Sequence, residues 1–66
     1  MHEATIKAIK VRAAYICSEL TARVAQDIRS RNEFLQDEGK APDWIDHDIA
    51  ALEWLIKTIA KAIKEI

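Results

Sequence analysis

A single interruption divides this chain. Gly39 and Pro42 are its only glycine and its only proline, and both fall within Asp37-Glu38-Gly39-Lys40-Ala41-Pro42-Asp43. Glycine accepts the left-handed conformation that ends a helix, and proline is favoured at or near a helix start. The residues on either side are mostly good helix formers with no further breaker. One break between two such stretches predicts a helical hairpin. Helix 1 is expected over about residues 3–37, a turn over 38–43 and helix 2 over about 44–65. The whole chain, 1–66, is then one all-α domain, the most that a chain of this length supports.

Both helices carry an apolar stripe. At 100° per residue, Ile6, Ile9, Ala13, Ile16, Cys17, Leu20, Val24 and Ile28 share one face of helix 1, and Phe34 and Leu35 extend it. Arg12, Glu19, Arg23, Gln26 and Ser30 fall on a polar face, and a weaker strip of Ala4, Val11, Tyr15, Ala22 and Ala25 lies roughly opposite the main one. In helix 2 the apolar arc takes in Ile45, Ile49, Leu52, Leu55, Ile56, Ile59, Ala60, Ile63 and Ile66. That arc is wider than one partner helix covers. Apolar residues make up 50% of the sequence, more than two helices hide along a single seam. The expected architecture is therefore an antiparallel hairpin assembling into a homodimeric four-helix bundle or a higher oligomer. Its oligomer core is expected to draw on Ile16, Leu20, Val24, Leu52, Ile56, Ile59 and Ile63.

Local features refine this picture. Asp43 is placed to cap helix 2, with Asp46 three residues on. Asp43, Asp46 and Asp48 suit the positive end of that helix dipole, and Lys61 and Lys64 the negative end. The helices differ in length, about 50 Å against about 35 Å at the usual rise. The difference implies either an N-terminal overhang that packs on a second subunit or a break at Ser30-Arg31-Asn32-Glu33, which has the pattern of a capping box. A continuous or kinked helix 1 is the expectation. Asp27 and Arg31, four apart within the apolar arc, are expected to pair at the edge of the seam facing the first turn of helix 2. Trp44 is expected to plug the hairpin end.

Trp54 is the unusual residue. It sits on the polar side of helix 2 near His47, Ala50, Thr58 and Lys61. Tryptophan is enriched where partners dock, so Trp54, His47, Thr58 and Lys61 form the candidate partner-binding set, with packing in an oligomer core as the plainer role. Charge is also segregated. Lys7, Lys10 and Arg12 meet Lys57, Lys61 and Lys64 at the open end of an antiparallel hairpin, while Glu33, Asp37, Glu38, Asp43, Asp46 and Asp48 collect at the loop end. This complements the helix dipoles and favours an antiparallel pairing of two copies. It also makes Lys10, Arg12, Tyr15, Lys57 and Lys61 an alternative anion-binding set.

Other functions are disfavoured. There is no Gly-rich phosphate loop, no Cys-x-x-Cys and no His-Glu-x-x-His. His47 lies between Asp46 and Asp48, but adjacent side chains diverge on a helix and cannot share a metal. Cys17 is the only cysteine; on the apolar stripe it is a small core residue, inert to thiol reagents, with neither His2 nor His47 placed to activate it. A net charge of −1 gives no field to hold nucleic acid. No apolar run approaches the roughly 20 residues of a membrane span. The first residues, Met1-His2-Glu3-Ala4-Thr5, show no basic region before an apolar run, so a cytoplasmic protein is expected. No cofactor, no metal and no catalysis are expected.

The segment Ala51-Leu52-Glu53-Trp54-Leu55-Ile56-Lys57-Thr58-Ile59-Ala60, following the Pro42-Asp43 turn, resembles the second helix of small phage-encoded helical hairpins. One such group sequesters cyclic-nucleotide signals of bacterial immunity; another silences a quorum-sensing regulator. The resemblance implies a phage or mobile-element origin and action in the host cytoplasm. It carries no ligand-binding residues over, and helix 1 adds no motif. Together these features favour a non-enzymatic homo-oligomeric protein that inhibits or adapts a host protein. A sponge that holds an anionic nucleotide-type molecule between subunits is the alternative.

Overall fold

The computed structural model describes residues 2–65. Two α-helices, α1 (Glu3–Glu38) and α2 (Asp43–Glu65), fold back on each other as a hairpin. The Cα positions span 53 × 15 × 12 Å, so the molecule is a thin rod. Both helix bounds lie within one residue of the sequence expectation. Neither helix is long and apolar enough to cross a membrane among the described residues.

The ends of the helices show how the turn works. Gly39 takes φ 77°, and its amide donates to the Leu35 carbonyl at 3.1 Å, closing the last turn of α1. At the start of α1 the amide of Ala4 donates to Nδ1 of His2 at 3.3 Å, so an imidazole serves as the cap. Asp43 does not stand before α2 as its cap. It is the first helical residue, and the amide of Ile45 donates to the Pro42 carbonyl at 3.2 Å. Asp43 and Asp46 still occupy the first turn, where negative charge suits the dipole.

Helix α1 passes through Ser30–Glu33 without a break. The capping-box pattern there loses to tertiary contact, because Ser30 and Arg31 are half-buried alongside the start of α2. A helix of this length is stabilised by the face it packs rather than by propensity alone.

The seam follows a strict alternation. Ile6, Lys10, Ala13, Cys17, Leu20, Val24, Asp27, Arg31 and Phe34 are the buried or half-buried positions of α1, in steps of four and three, with Ser30 beside them. In α2 the series is Ile45, Ile49, Leu52, Ile56, Ile59 and Ile63, with Asp48 beside it. This is a coiled-coil spacing, and it is narrower than the apolar stripe read from the sequence. Leu20, Val24, Leu52, Ile56, Ile59 and Ile63 are thus used within one chain. Ile9, Ile16, Ile28 and Leu35 fall outside the seam and are exposed. Ile66, expected on the α2 arc, lies outside the described residues.

Burial is concentrated. Ile45 is fully buried, Leu52 is 5% exposed and Asp27 is 8% exposed; no other described residue is buried. Fully burying a side chain such as Ile45 or Leu52 contributes roughly 1.5–3 kcal/mol. All three stand in the half of the hairpin nearer the loop. Trp44, expected as a plug for the hairpin end, is exposed instead. Ile45, one residue on, takes that role, because it points along the seam and Trp44 points 100° away from it.

Candidate functional site

Two ion pairs link the helices near the loop. Arg31 Nη1 donates to Asp46 Oδ1 at 3.2 Å, and Arg23 Nη2 lies 3.5 Å from Asp48 Oδ2. Asp27 does not pair with Arg31 as the sequence spacing suggested. Arg31 reaches across to α2 instead, and Asp27 is left facing Asp48, with which it shares a hydrogen bond. That bond, then burial, then the charge of Asp48 raise the Asp27 pKa above its ordinary value, and the Arg23 guanidinium partly opposes them. The cluster is not fully satisfied: Asp27 Oδ2, Arg31 Nε and Asp48 Oδ2 are buried without a hydrogen-bond partner. Spacing alone suggested Asp27 and Arg31 as a pair. The signal that finds Asp48 is the heptad register, which sets it between Ile45 and Leu52 on the edge of the same seam.

The acid pair lies between the helices, with Asp27 buried and Asp48 half-buried. Four shallow hollows lie elsewhere on the rod. One is lined by Glu38, Lys40, Ala41, Pro42 and Asp43 at the turn, and one by Ser30, Glu33, Phe34, Asp37 and Glu38 beside it. A third lies on the weaker strip of α1, at Val11, Ala14, Tyr15 and Ser18. The fourth, about 320 Å³ and almost wholly apolar, runs along Thr5, Ala8, Ile9, Arg12, Ala13 and Ile16.

The partner-binding candidates do share a surface. His47, Trp54 and Lys61 recur every seven residues along α2, and all are exposed on the side away from α1. Trp54 is 65% exposed, the most of any large apolar residue described. Thr58 stands beside it, but its hydroxyl donates to the Trp54 carbonyl at 2.8 Å, so that donor is already used. Sequence position placed this column correctly, since it depends only on helical periodicity.

The anion-binding candidates do not converge within one chain. Lys10 is on the seam, Arg12 is on the side of α1 that carries Ile16, and Tyr15 is on its outer face. Lys57 and Lys61 lie on the outer part of α2. None of the four hollows holds more than one of these residues. Cys17 is half-buried on the seam, and its carbonyl accepts from the Thr21 hydroxyl at 2.8 Å. No group of three or more His, Cys, Asp and Glu side chains is arranged to hold a metal among the described residues. Comparison of the chain with protein-family models, curated proteins and solved structures finds no match.

Proposed function

We propose that this hairpin is a non-enzymatic interaction protein that assembles with copies of itself and docks on a host protein through the outer face of α2. The observation that carries this is Trp54, 65% exposed at the centre of the His47–Trp54–Lys61 column. A solvent-facing tryptophan flanked by a cation and an imidazole has the make-up of an interface hot spot. The likeness of this helix to small phage hairpins fits an inhibitor or adaptor encoded by a phage or mobile element and acting in the host cytoplasm.

A sponge for an anionic nucleotide would need Lys10, Arg12, Tyr15, Lys57 and Lys61 to line a groove between copies. Their dispersal around one chain favours docking on a protein instead. The test is Trp54→Ala, followed by circular dichroism, light scattering and a pull-down from host lysate. Helicity and subunit mass should be unchanged while partner capture falls at least thirtyfold, the loss expected when a hot-spot side chain worth about 2 kcal/mol is removed. Loss of the assembly in the same variant would make Trp54 oligomer core. Unchanged capture would leave it merely exposed. Release of material absorbing in the nucleotide range on heating the native protein would favour the sponge.

A further inference from the structure

The two broad sides of the rod are not alike. The Arg23–Asp48 contact fixes which edges of α1 and α2 lie together on one side. One heptad toward the open end, the same edges carry Ile16 and Leu55; one heptad further they carry Ile9 and Ala62. Ile9, Ile16 and Leu55 are all exposed, Ile16 at 48%. At the other end of this side, Trp44 precedes Asp48 by one turn and is also exposed. In a finished two-helix coil these flanking positions are charged. Here they form an apolar ladder broken only by one ion pair.

The exposed area shows how far the rod departs from a compact monomer. A compact monomer of 7.5 kDa exposes about 4,200 Å² by the usual scaling with mass. This chain exposes 5307 Å². The difference, on the order of 1,000 Å² over the whole rod, leaves room for the roughly 800 Å² that each partner contributes to a standard interface. Charge then sets the orientation. The open end carries Lys7, Lys10, Arg12, Lys57, Lys61 and Lys64, whereas the loop end carries six carboxylates from Glu33 to Asp48. A second copy laid antiparallel puts acidic end on basic end.

We propose that the side bearing Ile9, Ile16, Leu55 and Trp44 is the docking face for a second, antiparallel copy of this chain. Full overlap of the two rods places the two-fold axis near mid-length of α1, beside Ile16 and Leu55. Trp44 of one copy then approaches Ile9 of the other. The Trp54 column stays outside, free for a different partner. This assembly deepens the reading of the hairpin as a self-assembling interaction protein, and it is tested by subunit mass, whereas the host-protein contact is tested by capture.

Sedimentation decides the matter. The native chain should be a dimer at micromolar concentration, and added salt should weaken it as the opposed ends are screened. Ile16→Glu with Leu55→Glu should weaken association at least a hundredfold. Ile28→Glu with Leu35→Glu, on the other side, should leave it intact. A native chain that sediments as a monomer would overturn the proposal, as would dissociation by the second pair and not the first. Should the first pair unfold the chain, disulfide formation decides. In a Cys17→Ser background, Leu55→Cys should link two chains in air and Leu35→Cys should not; the reverse pattern would reject this face.

Discussion

The loop half and the open half of the hairpin share one spacing rule yet differ in completeness. Near the loop, Ile45 and Leu52 are buried, Asp27 is buried with them, and two ion pairs tie the helices together. Toward the open end, no residue from Glu3 to Gln26 is buried, and Ile9, Val11, Tyr15 and Ile16 are exposed. The seam continues through both halves. What changes is how far the seam is closed. In the loop half it closes over Ile45, Leu52 and Asp27, although Ile28, Leu35 and Trp44 on its flanks are exposed. In the open half Ile9, Ile16 and Leu55 are exposed beside the seam, and α1, with 36 residues against 23, extends past the end of α2. A closed core at one end and a half-buried seam at the other set the two halves of the rod apart.

Substitutions at the two ends should therefore differ in cost. The largest expected effect is at the loop: Ile45→Ala removes a side chain with no exposed surface. It should cost about 2–5 kcal/mol in a urea melt. Ile9→Ala, measured at a concentration where the chain is monomeric, should cost far less. Equal costs would show that the open half is as well packed as the loop half.

Gly39→Ala comes next. A Cβ at this position meets nothing within 4 Å, but φ 77° is strained for any side chain. The expected loss is about 1 kcal/mol, from the backbone alone. A neutral result would mean that the turn relaxes without disturbing the Leu35 contact.

Arg31→Gln should matter less again. Its partner Asp46 is largely solvated, so the pair is worth about 0.2–1 kcal/mol. A double-mutant cycle with Asp46→Asn measures the coupling; a value of zero would assign the closure of the loop half to Ile45 and Leu52 alone.

The smallest effect expected has the opposite sign. Because the Asp27 pKa is raised in the fold, the native chain takes up this proton more readily than the unfolded one. Stability from this group should therefore rise as pH falls from the raised folded value to the ordinary value of 3.8, and level off below it. Asp27→Asn should remove that dependence and stabilise the chain above the window. Comparing thermal melts of the two proteins across mildly acidic pH isolates the effect, and parallel curves would mean that the fold does not raise the Asp27 pKa.

The hairpin, its turn and the Trp54 column were legible because each depends on local chemistry. Gly39 and Pro42 permit only one break, and helical periodicity alone sends Trp54 away from the seam. Asp27, Ile16 and Trp44 were harder. At 100° per residue, Ile9, Ile16 and Ile28 share a face with Leu20 and Val24, and nothing local says which of them another helix will reach. The His2 cap was missed for a different reason: imidazole is seldom a capping acceptor, so composition gives no cue.

By itself the sequence determined two helices, the single place where the chain turns, the segregation of charge along the rod and a surplus of apolar residues. Those follow from backbone preference and counting. Only the tertiary structure decided which apolar residues meet, that Arg31 crosses to Asp46 and leaves Asp27 facing Asp48, and which apolar residues, Ile9, Ile16 and Leu55 among them, are left exposed. The physical reason is geometric. A helix offers a stripe that is wider than one partner can cover, and the packed register of two such stripes, not their composition, selects the strip that is closed and the strip that is left open.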